Sequence, residues 1–123
     1  MDLIVFGLVL LAVAFNTVAQ LALKMGIDRI GAFVFHWSNF IPIILKIMVS
    51  PWIILGLVIY VGSVGVWLMV LSRAPVSIAY PMSSLGYVTS AIAAYYLLGE
   101  DLSAIRVAGI IVILIGVYMV ARS

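Results

Sequence analysis

Four stretches of this chain, residues 3–23, 51–71, 76–98 and 104–121, run eighteen residues or more and carry between them a single charged side chain, Arg106. As helices rising about 1.5 Å per residue, all four are long enough to cross a bilayer. No water-soluble fold of 123 residues could hide this much apolar surface, with 67% of residues hydrophobic and 8% charged. The expected architecture is all-α and integral to the membrane. It is a single domain over residues 1–123, with four transmembrane helices and a short interfacial helix between the first and second. Ala12-Val13-Ala14 mimics a cleavage site, but no Lys or Arg precedes it and the apolar pattern continues, so the first segment is expected to be retained.

The sparse charges exclude several kinds of chemistry. There is no cysteine, hence no disulfide and no thiolate nucleophile. A net charge of +2 without a basic cluster argues against nucleic acid as a partner. His36 has no companion ligand nearby, so no metal site is expected. The acids Asp2, Asp28, Glu100 and Asp101 all fall outside the spans or at their edges. A proton-coupled exporter of cations usually keeps a carboxylate in mid-span. The zinc-protease, nucleophile-elbow and phosphate-loop patterns are also missing, so neither an enzyme nor a cofactor is expected.

Polar residues inside the spans are neutral and fall on particular faces. In the first, Asn16, Gln20 and Lys24 are spaced by four and stack on one side, and Lys24 can snorkel to the headgroups. Buried amides either glue helices together or line a substrate path, and spacing alone leaves both open. Residues 25–50 read as a connection, with residues 40–49 as the interfacial helix, Asn39 as its N-cap and Pro42 in its first turn. Ser50-Pro51-Trp52 opens the second span with a cap, an N1 proline and an interfacial aromatic. Gly56, Tyr60, Ser63 and Trp67 then share a face that serves either packing or ligand contact, and Gly62 and Gly65 thin a neighbouring one.

A loop over residues 72–76 makes spans two and three antiparallel neighbours. The third span opens on the densest cluster of polar groups and breakers. Pro81 has no N–H for the Ser77 carbonyl and marks a conformational hinge. Tyr80 and Ser84, with Ser83 and Tyr87 beside them, form a polar strip. The strip either meets substrate or bonds back to the local backbone. Gly99 is placed to end this helix and Ser103 to cap the next. In the fourth span Gly109 and Gly116, two turns apart, mark a dimerisation or packing face. Lys24, Arg29, Lys46 and Arg106 on one side against Arg73 and Arg122 on the other favour external termini, weakly.

Residues 74–80, Ala-Pro-Val-Ser-Ile-Ala-Tyr, are similar to the third-helix signature of the small-multidrug-resistance family, within the drug/metabolite transporter superfamily. The Lys closing the first span and the glycines of the last resemble that family too. Eight residues before Lys24, where the family carries its essential glutamate, this chain has Asn16. Residues 19–21 with Lys24, 78–82 with Ser84 and Leu85, residues 67–71 and Glu100 resemble a branch without that glutamate, the paired subunits of the aminoarabinose-phosphoundecaprenol flippase. The resemblance implies half a transporter, a homodimer or a heterodimer with a sister subunit, in the bacterial inner membrane. Its implied cargo is a membrane lipid, a polyprenyl-phosphate-linked sugar or similar anionic lipid. The substrate-binding residues would be Asn16, Gln20, Lys24, Tyr60, Ser63, Trp67, Arg73, Tyr80, Ser83 and Ser84, with Lys24 or Arg73 attracting the phosphate. A cation, drug or metabolite exporter using Glu100 and a non-transporting accessory subunit of a membrane glycosylation complex are the rival readings.

Overall fold

The structure, a computed structural model, describes residues 3–32, 34 and 36–123; Asp2 lies outside the described residues. They form α1 (Leu3–Ile30), α2 (Phe40–Val49), α3 (Pro51–Leu71), α4 (Val76–Met82), α5 (Leu85–Leu97) and α6 (Ala104–Arg122), with no strand among the described residues. Three helices, α1, α3 and α6, are long and apolar enough to cross a membrane.

α1 continues seven residues past Leu23, the expected end of its span. Charge marks where a helix leaves hydrocarbon, not where its hydrogen bonding stops. Lys24 and Asp28 pair one turn apart at 3.0 Å, which supports the extra turns. The helix stops at Gly31, whose φ of +94° is open to glycine, and the Gly31 amide bonds the Ile27 carbonyl at 2.8 Å. Arg29 lies 5.4 Å from the Trp52 ring centroid, joining the end of α1 to the start of α3.

Asn39 does not cap α2. Its side chain folds the preceding loop instead, accepting from the His36 amide at 2.7 Å and donating to the Val34 carbonyl at 3.0 Å. Ser50 does cap α3, accepting from the Ile53 amide, and Ser103 caps α6 through the Arg106 amide at 3.2 Å. Gly99 ends α5 with φ +70°, as expected.

The third apolar stretch is two helices rather than one kinked span. Pro81 stays inside α4, and the break falls at Ser83 and Ser84. There the amide of Ser84 bonds the Pro81 carbonyl, and those of Gly86 and Tyr87 bond Ser83 and Ser84, all at three-residue spacing. The Ser83 hydroxyl bonds the Tyr80 carbonyl at 2.5 Å and the Ser84 hydroxyl the Pro81 carbonyl at 2.6 Å. These serines bond back to the local backbone, one of the two expected outcomes, and overwind the chain into a 3₁₀-like turn.

α3 packs chiefly along α1, not along the helix that follows it. One end of this seam is built from small residues: Ala19, Ala22, Gly26 and Gly56 are all buried. A β-carbon on Gly56 would lie 2.8 Å from Leu23 Cγ and 3.0 Å from the Ala19 carbonyl oxygen. Gly62 and Gly65, expected to permit close approach, face open space, as do Gly109 and Gly116. At the other end Val5, Val9 and Val13 of α1 meet Val70, Ala79, Met82 and Val117 in one core cluster. α5 leans on α1, while α6 touches α4 and α5 and buries only Val117.

The seam predicts a contrast between glycines. Gly56→Val is expected to destabilise the protein by about 1–3 kcal/mol, the usual range for overpacking. Gly62→Val, which meets nothing, is expected to leave the thermal unfolding midpoint in detergent close to that of the wild type.

Candidate functional site

Between the two packed ends of the α1–α3 seam the helices leave a groove of about 560 Å³, flanked by α4 and α5. From α1 it receives Asn16 and Gln20, and from α3 Tyr60, Ser63 and Trp67. α4 and the turn after it supply Tyr80 and Ser83, and α5 adds Tyr87 and Ser90. Seven of the ten residues expected to bind substrate are thus brought together. Lys24, Arg73 and Ser84 are not among the lining residues.

Ser84 is excluded by the 3₁₀-like turn. In an α-helix Tyr80 shares its face with Ser84, but at three residues per turn the next residue on that face is Ser83. Tyr80, Ser83 and Gly86 accordingly line the groove in succession. Gly56 also leaves its expected face, because it is buried against Leu23 in the seam while Tyr60 is exposed. Tyr87, expected in the polar strip though not among the ten, joins the lining from α5, and Ser90 follows it three residues on.

Among the described residues the side-chain amides of Asn16 and Gln20 find no hydrogen-bond partner, so they do not act there as glue between the helices. In a membrane such groups need water, a ligand or another chain. Ser63 by contrast is buried and donates to the Tyr60 carbonyl at 2.6 Å. Trp67 and Tyr80 meet edge to face, with ring centroids 6.3 Å apart and planes at 75°. Among the described residues no carboxylate, lysine or arginine lines the groove.

The polar bond between α1 and α5 lies beside the groove. Thr17 Oγ1 and Thr89 Oγ1 are 2.5 Å apart, and Thr89 also donates to the Gly86 carbonyl. With Thr89 donating to Gly86, the Thr17 hydroxyl donates to Thr89. The pair holds α5, with Tyr87 and Ser90, against the helix carrying Asn16 and Gln20. Sequence reasoning had no signal that these two threonines meet.

This is a multi-pass membrane protein whose helices enclose a neutral, polar, aromatic-lined groove. The chain belongs to the EamA-like transporter family, whose model matches residues 3–122. It is 34% identical over 125 residues to a probable 4-amino-4-deoxy-L-arabinose-phosphoundecaprenol flippase subunit ArnF of Shewanella sediminis (strain HAW-EB3), covering 92% of this chain and 84% of the relative. A probable ArnF subunit of the same flippase from Proteus mirabilis (strain HI4320) is 37% identical over 117 residues, covering 86% and 83%. A probable ArnE subunit from Pseudomonas fluorescens (strain Pf0-1) is 30% identical over 115 residues, covering 94% and 95%. The relatives are named as flippase subunits, not as enzymes, and they carry the resemblance to the branch without the glutamate. No solved structure matches the chain.

The threonine pair gives a direct test. In a double-mutant cycle of Thr17→Val and Thr89→Val, followed by thermal unfolding in detergent, the coupling is expected to be about 0.6 kcal/mol, the average for such bonds between membrane helices. A coupling indistinguishable from zero would remove the pair from the account of how α5 is held.

Proposed function

We propose that this chain is one half of a transporter that moves a polyprenyl-phosphate-linked sugar between the leaflets of the bacterial inner membrane. The observation that carries this reading is the groove itself: among the described residues it is lined by unpartnered amides, hydroxyls and aromatic rings, without a carboxylate. Amides both donate and accept, which matches sugar hydroxyls. A lipophilic cation coupled to protons would call for an acid here. Glu100, the candidate acid of the exporter reading, is exposed in the turn between α5 and α6 and does not line the groove.

In this reading α4 and α5 together make the third of four crossings. A non-helical turn at membrane depth is tolerated where it lines a cavity, and Ser83 does so. The turn beside Pro81 is the flexible point about which α4 and α5 rock. α2, apolar but ten residues long, lies in the interface. The working unit is a dimer, with an identical chain or a sister subunit completing the groove. The smooth face of α6 bearing Gly109 and Gly116 is its pairing surface, where the absent side chains permit close approach.

The test is lipid flipping in proteoliposomes containing the chain, alone or with a sister subunit. Wild-type protein is expected to translocate an undecaprenyl-phosphate-linked sugar. Asn16→Leu is expected to slow it by about tenfold or more, the loss of one hydrogen bond to the cargo. Correctly assembled protein that moves no such lipid in either pairing would overturn the proposal.

A further inference from the structure

We infer that the groove is one-ended: the sugar occupies its neutral interior, the phosphate is met at the Lys24 mouth, and Arg73 takes no part. This rests on the lipid-linked sugar reading above and assigns each part of the ligand a place.

The first observation is the division of charge. The interior between Asn16, Gln20, Ser90 and Trp67 holds no cation. A phosphate drawn in there would lose its hydration without gaining a counter-charge, at a cost far above that of desolvating a hydroxyl. A sugar ring suits the same space, because its hydroxyls pair with amides and its apolar edge lies on an aromatic ring. The Trp67 ring is steadied for that role by Tyr80.

The second observation is what closes the far end. α1 and α3 run antiparallel, so the amino-terminal half of α1 lies beside the carboxy-terminal end of α3. Along this axis the groove spans residues 12–20 of α1 and 60–67 of α3. Beyond it come Val9 and Val70, both fully buried, with Ala79 and Met82 equally closed off. Val13 and Trp67 belong both to the groove wall and to this packed cluster or its edge. Arg73 lies in the exposed turn after α3, on the far side of this plug from the groove, and is not among its lining residues.

The third observation is the cation beyond the other end of the groove. Lys24 is one turn beyond Gln20 on the face that carries Asn16. Its side chain is 50% exposed, and its ammonium is held at 3.0 Å by Asp28. An exposed ion pair of this kind is weak and easily exchanged. A lipid phosphate arriving at the mouth displaces Asp28, and the sugar then lies against Gln20 and Asn16, about 6 and 12 Å further along the helix.

The test uses the full chain in lipid nanodiscs with Trp37→Phe and Trp52→Phe, leaving Trp67 as the only tryptophan. The probes are undecaprenyl phosphate, the same lipid bearing 4-amino-4-deoxy-L-arabinose, and the same lipid bearing glucose. At least one glycosylated lipid is expected to bind about tenfold more tightly than the bare phosphate, a difference of about 1.4 kcal/mol, and to shield Trp67 from acrylamide quenching. Lys24→Ala should weaken all three, Asp28→Asn should tighten them, and Arg73→Ala should change none. Gln20→Leu should erase the preference for sugar while leaving the bare phosphate unaffected, which a purely structural role would not do. Equal binding of bare and glycosylated lipid with Trp67 unshielded, or dependence on Arg73 instead of Lys24, overturns the inference and leaves the flippase reading standing. Failure of all three lipids to bind overturns both.

Discussion

The close approach of α1 and α3 is the contact on which the rest of the structure depends. A bilayer gives helices no hydrophobic reason to associate, so they hold together where backbones come near enough for dense van der Waals contact. Gly56 permits that approach by meeting the Ala19 carbonyl and Leu23 directly, and Gly26 does the same beneath Ile53. A valine-rich cluster fastens the opposite end. Two fixed ends with bulkier, polar residues between them leave a hollow, and the groove follows from that arithmetic of side-chain size. Its lining is set by α3 and α1 together, and its outer wall by how α4 and α5 are hung on them.

The broken third stretch is held at two anchorages. α4 is seated by Ala79 and Met82, which have no exposed surface. α5 is held to α1 through Thr17 and Thr89. Between these two supports lies a turn at whose start the Tyr80 and Pro81 carbonyls each accept from a backbone amide and a serine hydroxyl. The local chemistry removes the penalty of interrupting a helix in an apolar solvent. It also rotates the polar face, so that Ser83 and not Ser84 reaches the cavity.

Local rules in the sequence located much of this. The bounds of α3 follow from Ser50, Pro51 and the run of apolar residues, the start of α6 from Ser103, and the end of α5 from Gly99. The spacing of the amides on α1 and of Tyr60, Ser63 and Trp67 on α3 set each group on one face, but not whether that face packs or lines a cavity; both faces meet in the groove. What escaped depends on other elements. The last turns of α1 persist because Gly26 packs on α3, which charge patterning within α1 does not reveal. Asn39 has an N-cap's chemistry but spends it on the loop before it. Thr17 and Thr89 lie seventy-two residues apart, and nothing local to either foretells their meeting.

α6 has a different relation to the molecule. With one side chain buried, it is retained less by its own packing than by the short segment, residues 98–103, that links it to α5. A tether of that length keeps a local concentration in the millimolar range or above, so weak contacts with α4 and α5 suffice to keep the helix in place. Its outward surface is then under little obligation to its own chain. That surface can therefore change in sequence without redesigning the groove, which no residue of α6 lines.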